Sequence, residues 1–174
     1  AQEARLSTNG RQVVAWQKAG DGVELSVVDA STGRRLWQRP FAKEARSMII
    51  EDEEIAVFDG TGRFSILQIA NGAARLEADL GKIEDLENIH VFRSTDRYVL
   101  LTAKPAAAAG RRVQMFNNFN KTMMVNGPAW GFHRETGKTL WAAQVEHQQI
   151  ELNQPENLPV LFFSALRFKL QNGG

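Results

Sequence analysis

Cysteine is absent from this 174-residue sequence, and histidine is scarce, with three residues in all. The absence of thiols excludes disulfides, cysteine nucleophiles, thiolate-bound zinc and iron–sulfur clusters. The histidines lie far apart, at positions 90, 133 and 147, without the spacing of metal ligands. A nucleophile elbow, a phosphate-binding loop and a zinc-protease helix motif are missing too. The common signatures of catalysis and metal binding are therefore lacking.

A strong excess of charge and a long apolar run are also missing. Lys and Arg number 21 against 20 for Asp and Glu, which gives a net charge of +1. This balance argues against a nucleic-acid-binding protein, which carries a strongly basic face. No apolar run approaches the roughly 20 residues that a membrane-spanning helix needs. With 43% hydrophobic residues, the chain is long and apolar enough for one domain with a real core.

Short apolar or alternating runs fill the sequence, and Gly, Asn and Asp separate them. The runs have the length of β-strands, and the periodicity of an amphipathic helix is poor nearly everywhere. The connections between the runs are short, as in hairpins, and too short for alternating βαβ units. The sequence therefore predicts an all-β fold.

One turn-and-strand segment recurs along the chain. Residues 28–37 read VDASTGRRLW, residues 132–141 read FHRETGKTLW, and residues 68–76 form a degenerate copy, QIANGAARL. The turn glycines are at positions 33, 72 and 137, so the two steps are 39 and 65 residues. A repeat of about 40 residues is the length of a four-stranded propeller blade. The longer step then contains an insertion of about 26 residues.

The repeated turn has a physical explanation. Asp29 and Thr32 can accept hydrogen bonds from nearby backbone N–H groups, and Gly33 can adopt the positive φ of a tight turn. A large ring on the outgoing strand can wedge between neighbouring blades, so Trp37 and Trp141 are predicted to be structural. The whole predicted structural set is Asp29, Thr32, Gly33, Trp37, Asn71, Gly72, His133, Thr136, Gly137 and Trp141.

The pattern Asp-x-x-Thr-Gly-x-x-Leu-Trp resembles the repeat of the pyrroloquinoline-quinone (PQQ)-type propeller family. The match is complete at residues 29–37, and His133 replaces Asp in the copy that ends at Trp141. Within that family the sequence is similar to BamB-type outer-membrane assembly lipoproteins. Residues 125–132 also resemble PQQ-like repeats of large planctomycete-type proteins. The resemblance implies that the Trp of the repeat docks between blades. It also implies that the protein is located in a bacterial periplasm or cell envelope. Residues 1–5 lack the apolar segment of a signal peptide.

Counting the predicted strands gives β-propeller blades of four antiparallel strands, at about residues 6–41, 46–80 and 86–145, with an insertion at about 104–121. A partial fourth blade is expected at residues 147–170. Propellers close with four to eight blades, so three and a half blades predict a segment of a larger protein or a chain completed by another copy. The apolar strand at residues 160–168 would leave an open edge, which predicts either self-association through that edge or a further C-terminal segment that completes the fourth blade.

Two functions remain open at this point. The first is a non-catalytic scaffold or protein-interaction module of the cell envelope, with a protein or peptide partner. The second is a non-catalytic part of a larger propeller enzyme whose active site lies elsewhere. Lack of a nucleophile, a metal cluster or paired carboxylates favours the first. PQQ-dependent alcohol dehydrogenases use a vicinal disulfide and calcium ligands that have no counterpart here. We therefore expect no cofactor, no metal and no nucleic-acid partner.

Two groups of residues, one apolar and one acidic, each allow more than one interpretation. Apolar side chains in and beside the Gly/Asn-rich insertion either pack onto a blade or form an interaction loop; they are Met115, Phe116, Phe119, Met123 and Met124. The acidic run at residues 51–54 lacks the alternating oxygen donors and central glycine of an EF-hand. We interpret this run as a solvated turn between two strands.

Overall fold

The computed structural model describes residues 5–8, 10–104, 122–152, 161 and 163–164. Every regular element within these residues is a β-strand, and none of them forms a helix that could cross a membrane. Thirteen strands are arranged as three antiparallel sheets that follow one another along the chain. The predicted all-β fold, a partial propeller of successive antiparallel sheets, is confirmed.

The sheets are numbered in chain order. The first sheet contains β1 (Arg5–Thr8), β2 (Gln12–Ala19), β3 (Gly22–Asp29) and β4 (Arg35–Ala42). The second contains β5 (Arg46–Ile50), β6 (Glu54–Phe58), β7 (Arg63–Gln68) and β8 (Ala74–Asp79). The third contains β9 (Asn88–Arg93), β10 (Arg97–Ala103), β11 (Thr122–His133), β12 (Thr139–Glu151) and β13 (Phe163–Ser164).

Each sheet is an up-and-down meander, so its connections lie at two opposite ends. We call one of these the turn end, because it holds the three repeated turns, between β3 and β4, β7 and β8, and β11 and β12. The other is the loop end, which holds the connections between sheets at residues 43–45 and 80–87. Functional side chains on different sheets can meet only at these ends or between the sheets.

The described core has three clusters of buried side chains: two lie where the second sheet packs against its neighbours, and the third lies on the other face of the third sheet. Side chains alternate along β6, so Ile55 and Val57 face the first sheet while Ala56 and Phe58 face the third. All five residues of β6 are buried for this reason. Phe64 of β7 stacks on Phe132 of β11 with ring centroids 5.6 Å apart. The burial pattern explains why these strands read as continuous apolar runs in the sequence.

The structure differs from the predicted start of a fourth blade near residue 147. Residues 147–151 belong to β12, which bends at a bulge near residues 125–127 of β11 and has a φ of 48° at His147. No Gly, Pro, Asn or Asp interrupts β12, so the strand bends instead of ending. Phe163 and Ser164 pair with Ile150 and Gln149, as a fifth strand of the third sheet. Apart from Leu161, Phe163 and Ser164, the predicted edge at residues 160–168 lies outside the described residues.

Candidate interaction surface

The three repeated turns share one backbone geometry at the turn end. The N–H groups of Gly33, Gly72 and Gly137 each donate to the carbonyl oxygen four residues earlier, at 2.9 Å in all three turns. Their φ angles are 69°, 72° and 67°, in the left-handed region that favours glycine. The recurring sequence is therefore a recurring structure, and the degenerate copy at Gly72 keeps the same backbone.

Asp29 is committed to holding its own turn. Its Oδ1 accepts hydrogen bonds from the hydroxyl and the N–H of Ser31, at 2.6 and 3.0 Å, and from the N–H of Thr32 at 2.9 Å. These bonds, led by that of the Ser31 hydroxyl, lower the pKa of Asp29 to about 2. In the third copy the Nδ1 atom of His133 accepts from the N–H of Thr136 over a longer 3.4 Å. The His therefore takes the position of the Asp and makes a weaker version of its contact.

Trp37 docks the first sheet onto the second. Its Nε1–H donates to the carbonyl oxygen of Ile69 at 2.6 Å. Its ring lies against Gly72, where an added Cβ would stand only 2.8 Å from the Cδ2 atom. Leu76, which occupies the same position of the repeat in the second sheet, lies 3.9 Å from the place of a Cβ at Gly137. At both sheet-to-sheet interfaces the residue in this position of the repeat therefore lies beside the next turn glycine, more closely for Trp37 than for Leu76.

Trp141 has the corresponding position on the third sheet. Its indole covers Gly131 of the neighbouring strand, where an added Cβ would overlap the ring. It remains 39% exposed, and the adjacent Leu140 is 49% exposed. Trp141 therefore packs on its own sheet and meets no turn of another sheet among the described residues, and its docking role stays a prediction.

A charge network at the turn end connects the second and third sheets. Glu54 on β6 is only 4% exposed, and the hydroxyl of Tyr98 lies 2.9 Å from both of its carboxylate oxygens. The Nη1 atom of Arg93 is 3.6 Å from Glu54 and 2.9 Å from Glu53, and Nε is 3.1 Å from Glu51. Burial, and then the bond to Glu54, raise the pKa of Tyr98. The interpretation of the acidic run as a solvated turn is wrong for Glu54.

Sequence reasoning missed this network because its partners are 39 to 44 residues apart along the chain. Tyr98 follows Glu54 by 44 residues, and a run of four acidic residues ordinarily faces solvent. The available signal was the tyrosine itself, because a buried phenol hydroxyl needs a hydrogen-bond partner. Nothing in the sequence identifies that partner as Glu54.

The histidines do not assemble into a metal site in the described residues. No group of three His, Asp or Glu side chains there could hold a metal ion. Burial lowers the pKa of His90 to about 4, and its ring packs edge-on against Phe92 with centroids 4.6 Å apart. His133 belongs to a turn and His147 to the bulge of β12. The expected absence of a metal and a cofactor stays a prediction.

A groove of about 240 Å³ lies at the loop end, between the connections that join the sheets. It is lined by Glu44, Arg46, Asp59, Gly60, Lys82, Ile83, Glu84, Asp85 and Leu86. Lys82 pairs with Glu84 at 3.0 Å, and the Nε–H of Arg46 donates to the carbonyl of Glu87 at 2.9 Å. Oδ1 of Asp59 accepts N–H bonds from its own turn. These charged side chains therefore stabilise the connections between the sheets.

The third sheet extends beyond its neighbours at the loop end. We call this part the β11–β12 extension: residues 122–125 of β11, residues 148–151 of β12, and β13. β10 pairs with β11 only from Asn126 to His133, so the extension projects past β10. Met124 is 47% exposed there and Phe163 is 37% exposed. Among the described side chains of β2 to β8, no large hydrophobic residue is exposed to this degree.

The structure places only part of the predicted interaction loop. Met115, Phe116 and Phe119 lie outside the described residues. Met123 packs against a buried cluster on the outer face of the third sheet, whereas Met124 is exposed. The two adjacent methionines therefore divide between the two interpretations: Met123 contributes to packing and Met124 to an exposed apolar surface.

Comparison with known proteins identifies a family and a set of similar folds. Residues 2–126 match the family model described as the outer membrane protein assembly factor BamB. Among curated proteins, none matches the chain significantly. The match covers the first two sheets completely and ends inside β11 of the third.

Solved structures resemble the chain at low sequence identity. The computationally designed Ika4 protein is 15% identical with a TM-score of 0.54, covering 84% of this chain and 81% of that one. The computationally designed Ika8 protein is 14% identical with a TM-score of 0.53, covering 84% and 41%. BamB from Moraxella catarrhalis is 14% identical with a TM-score of 0.47, covering 85% and 42%. The chain thus spans less than half the length of Ika8 and of that BamB.

Proposed function

The chain belongs to the family of the outer membrane protein assembly factor BamB, and we propose that it is a non-catalytic protein-binding scaffold of the bacterial cell envelope. The description of the family supports both parts of this proposal. An assembly factor of the outer membrane works in the envelope, with the periplasm as the expected compartment, and acts on other proteins. The partner of this chain is accordingly a protein or a peptide segment.

The observation that carries the proposal is the exposed apolar surface of the β11–β12 extension. Met124 on β11 and Phe163 on β13 are 47% and 37% exposed where the extension projects beyond β10. Phe163 and Met123 both pair with Ile150, so Phe163 and Met124 lie on opposite faces of the extension. Exposed apolar side chains at a projecting sheet edge are accessible to a partner chain. Methionine suits such a site because its flexible thioether adapts to the shape of a partner. The extension also adjoins the insertion that the sequence marked for interaction.

The non-catalytic part of the proposal is supported by how the chain uses its titratable side chains. Both carboxylate oxygens of Glu54 contact the hydroxyl of Tyr98 inside an interface. Asp29 and Asp59 accept several hydrogen bonds from their own turns. A general base needs a pKa near the working pH, whereas the bonds within its turn lower the pKa of Asp29 to about 2. Each of these carboxylates has a structural task instead.

Site-specific photocrosslinking in the bacterial envelope tests the proposal. A benzophenone amino acid replaces Met124 in one variant and Lys18, an exposed residue of β2, in the control. We expect Met124 to give a discrete adduct with another envelope protein and Lys18 to give none. Addition of Met124→Ser and Phe163→Ser to a third variant, with the probe at Gln148 of the same extension, should reduce adduct formation at least about tenfold.

Two outcomes would contradict the proposed function. Equal adduct formation at Met124 and Lys18 would show that the extension has no preference for a partner. An unchanged yield after both serine substitutions would show that the apolar side chains contribute nothing to binding. Circular dichroism of each variant, which reports the sheet content, separates loss of binding from loss of folding.

A further inference from the structure

The β11–β12 extension leaves the third sheet at a bend that two bulges form side by side. Against β10, β11 has one additional residue between Asn126 and Ala129. Against β11, β12 has one additional residue between Val145 and Gln148. Both bulges lie where the pairing with β10 ends. Because a bulge bends its strand and redirects the side chains beyond it, this bend sets the course of the extension.

The sequence at the bend fits a fixed bulge. Gly127 has a φ of 152°, and Pro128 has no N–H group to donate, so it suits a position where a ladder bond is missing. His147, in the bulge of β12, has a φ of 48°, which is uncommon for a residue with a side chain. Backbone strain of this kind persists only where the surrounding structure holds it, and it is concentrated at functional sites.

Thr102 of β10 locks the bend from the neighbouring strand. It is fully buried, and its Oγ1–H donates a hydrogen bond to the carbonyl oxygen of Pro128 at 2.6 Å. A Cβ added at Gly127 would stand 2.6 Å from the same Oγ1 atom. The Thr102 hydroxyl therefore binds the bulge and also fills the space that a side chain at position 127 would need.

The bend determines which face of the extension is exposed. Beyond the bend, Val125 and Ile150 are fully buried and belong to one cluster with Leu101 of β10, on the outer face of the third sheet. Met124 follows Met123 on β11 and therefore lies on the opposite face, where it is 47% exposed. A change in the bend would remove Val125 and Ile150 from their cluster and move Met124.

We propose that Thr102, Gly127 and His147 are positioning residues for partner binding, because they fix the direction in which the extension presents Met124. The partner then meets a surface that is already formed, and binding does not have to order the extension. The inference rests on the proposed function for the existence of a partner. The bend itself can be measured on the free chain.

Two substitutions of Thr102 distinguish positioning from packing. Thr102→Val keeps the shape of the side chain and removes the hydroxyl, whereas Thr102→Ser keeps the hydroxyl and removes a buried methyl group. In chains with the benzophenone probe at Met124, we expect Thr102→Val to reduce the yield of the adduct at least about fivefold. Thr102→Ser should retain the yield. A residue that acted only by packing would give the reverse order, because valine fills the site and serine does not.

The distance between two spin labels reports the bend without a partner. The chain has no cysteine, so labels attach only at cysteines introduced at Met124 and at Glu135, an exposed residue at the turn end of the same sheet. We expect one narrow distribution of distances in the labelled parent chain, the same distribution with Thr102→Ser, and a shifted or broadened one with Thr102→Val.

The other two positions have matched variants in the same measurement. Gly127→Ala and His147→Val should both change the distance, since the first overlaps Oγ1 of Thr102 and the second disfavours a positive φ. Gly20→Ala, with a φ of 58° and no atom within 4 Å, and His147→Asn, which tolerates a positive φ, should leave it unchanged. Circular dichroism of each variant checks that the sheets are folded.

Three results would overturn the inference: an unchanged distance in Thr102→Val, a change in Thr102→Ser as large as that in Thr102→Val, and an altered distance with an unchanged yield of the adduct. Each of them leaves crosslinking at Met124 of the parent chain, and therefore the proposed function, intact. Failure of crosslinking in the parent chain would contradict the proposed function and the role of the bend in binding. The distances would still show whether the three residues hold the bend.

Discussion

The two interfaces of the second sheet have the same architecture but different chemistry. Toward the first sheet the contact is apolar, and a Trp37 ring on Gly72 completes it. Toward the third sheet an equally apolar core also contains Glu54, Tyr98 and Arg93. A repeat that recurs in sequence therefore does not produce identical interfaces. The turn and its docking residue recur, whereas the polar contacts are particular to one junction.

This difference determines which substitutions destabilise each interface. The first–second interface depends on shape, because a flat ring and a residue without a side chain approach closely. The second–third interface depends on pairing, because a buried carboxylate is stable only with its donors in place. Removal of one partner of such a buried group costs more than the bond itself contributes. Four measurements distinguish the shape-dependent interface from the pairing-dependent interface.

The largest effect is expected from Gly72→Ala, which breaks the shape-dependent interface. The methyl group would stand 2.8 Å from Cδ2 of Trp37, at a φ of 72°. Strain and overlap together should lower the free energy of unfolding by about 3 kcal/mol. Gly20→Ala has a similar φ of 58° and open space, so it should cost about 1–2 kcal/mol. Urea unfolding measures both, and equal losses would show that contact with Trp37 is unimportant.

A smaller loss is expected from Tyr98→Phe, which breaks the pairing-dependent interface while it preserves shape. The substitution leaves Glu54 buried without its hydroxyl donor and should cost about 2 kcal/mol in chemical unfolding. Glu54→Gln alone and the Tyr98→Phe, Glu54→Gln double variant complete a double-mutant cycle. We expect an interaction energy between the two side chains above about 0.5 kcal/mol. If the single and double variants were additive, the two side chains would be independent, contrary to their 2.9 Å contact.

Trp37→Phe keeps an aromatic ring on Gly72 and removes only the bond from Nε1 to Ile69. We expect a loss of about 1 kcal/mol, since one neutral hydrogen bond is lost and the ring becomes slightly smaller. The second–third interface already has an apolar residue, Leu76, in this position. Thermal unfolding provides the measurement. A loss as large as that of Gly72→Ala would mean that the hydrogen bond, and not the fit of the ring, dominates docking.

These residues also show what the sequence could and could not predict. The docking role of Trp37 was predictable, because its turn-and-strand segment recurs and resembles a family in which this Trp lies between blades, whereas its receiving turn at Gly72 was not predicted. The bend of β12 at His147 was not anticipated, although the uninterrupted run from Thr139 to Glu151 indicated one strand. The pairing of Glu54 with Tyr98 was beyond sequence reasoning, because it depends on the stacking of two sheets. Local patterns predict turns and strands, whereas contacts between sheets require the assembled fold.

The smallest effect concerns pH and affects only the pairing-dependent interface. Tyr98 is the single tyrosine of the chain, so the alkaline rise in tyrosinate absorbance reports this residue alone. Burial and Glu54 raise its pKa in the folded state above the ordinary value of 10. The folded chain therefore holds this proton more tightly than the unfolded chain. The resulting stability is present below pH 10 and declines as the pH rises through the folded pKa.

Glu54→Gln should lower the pKa of Tyr98 toward its ordinary value, because the negative charge beside the phenol is removed. The residual elevation then reports burial, the largest cause, against the opposing effect of Arg134. Trp37→Phe is the matched control at the other interface and should leave the titration unchanged. A wild-type chain in which Tyr98 ionises near pH 10 while the sheets remain folded would show that the hydroxyl is accessible to water. In that case the second–third interface would not depend on the pairing of Tyr98 with Glu54, and the distinction between a shape-dependent and a pairing-dependent interface would not hold.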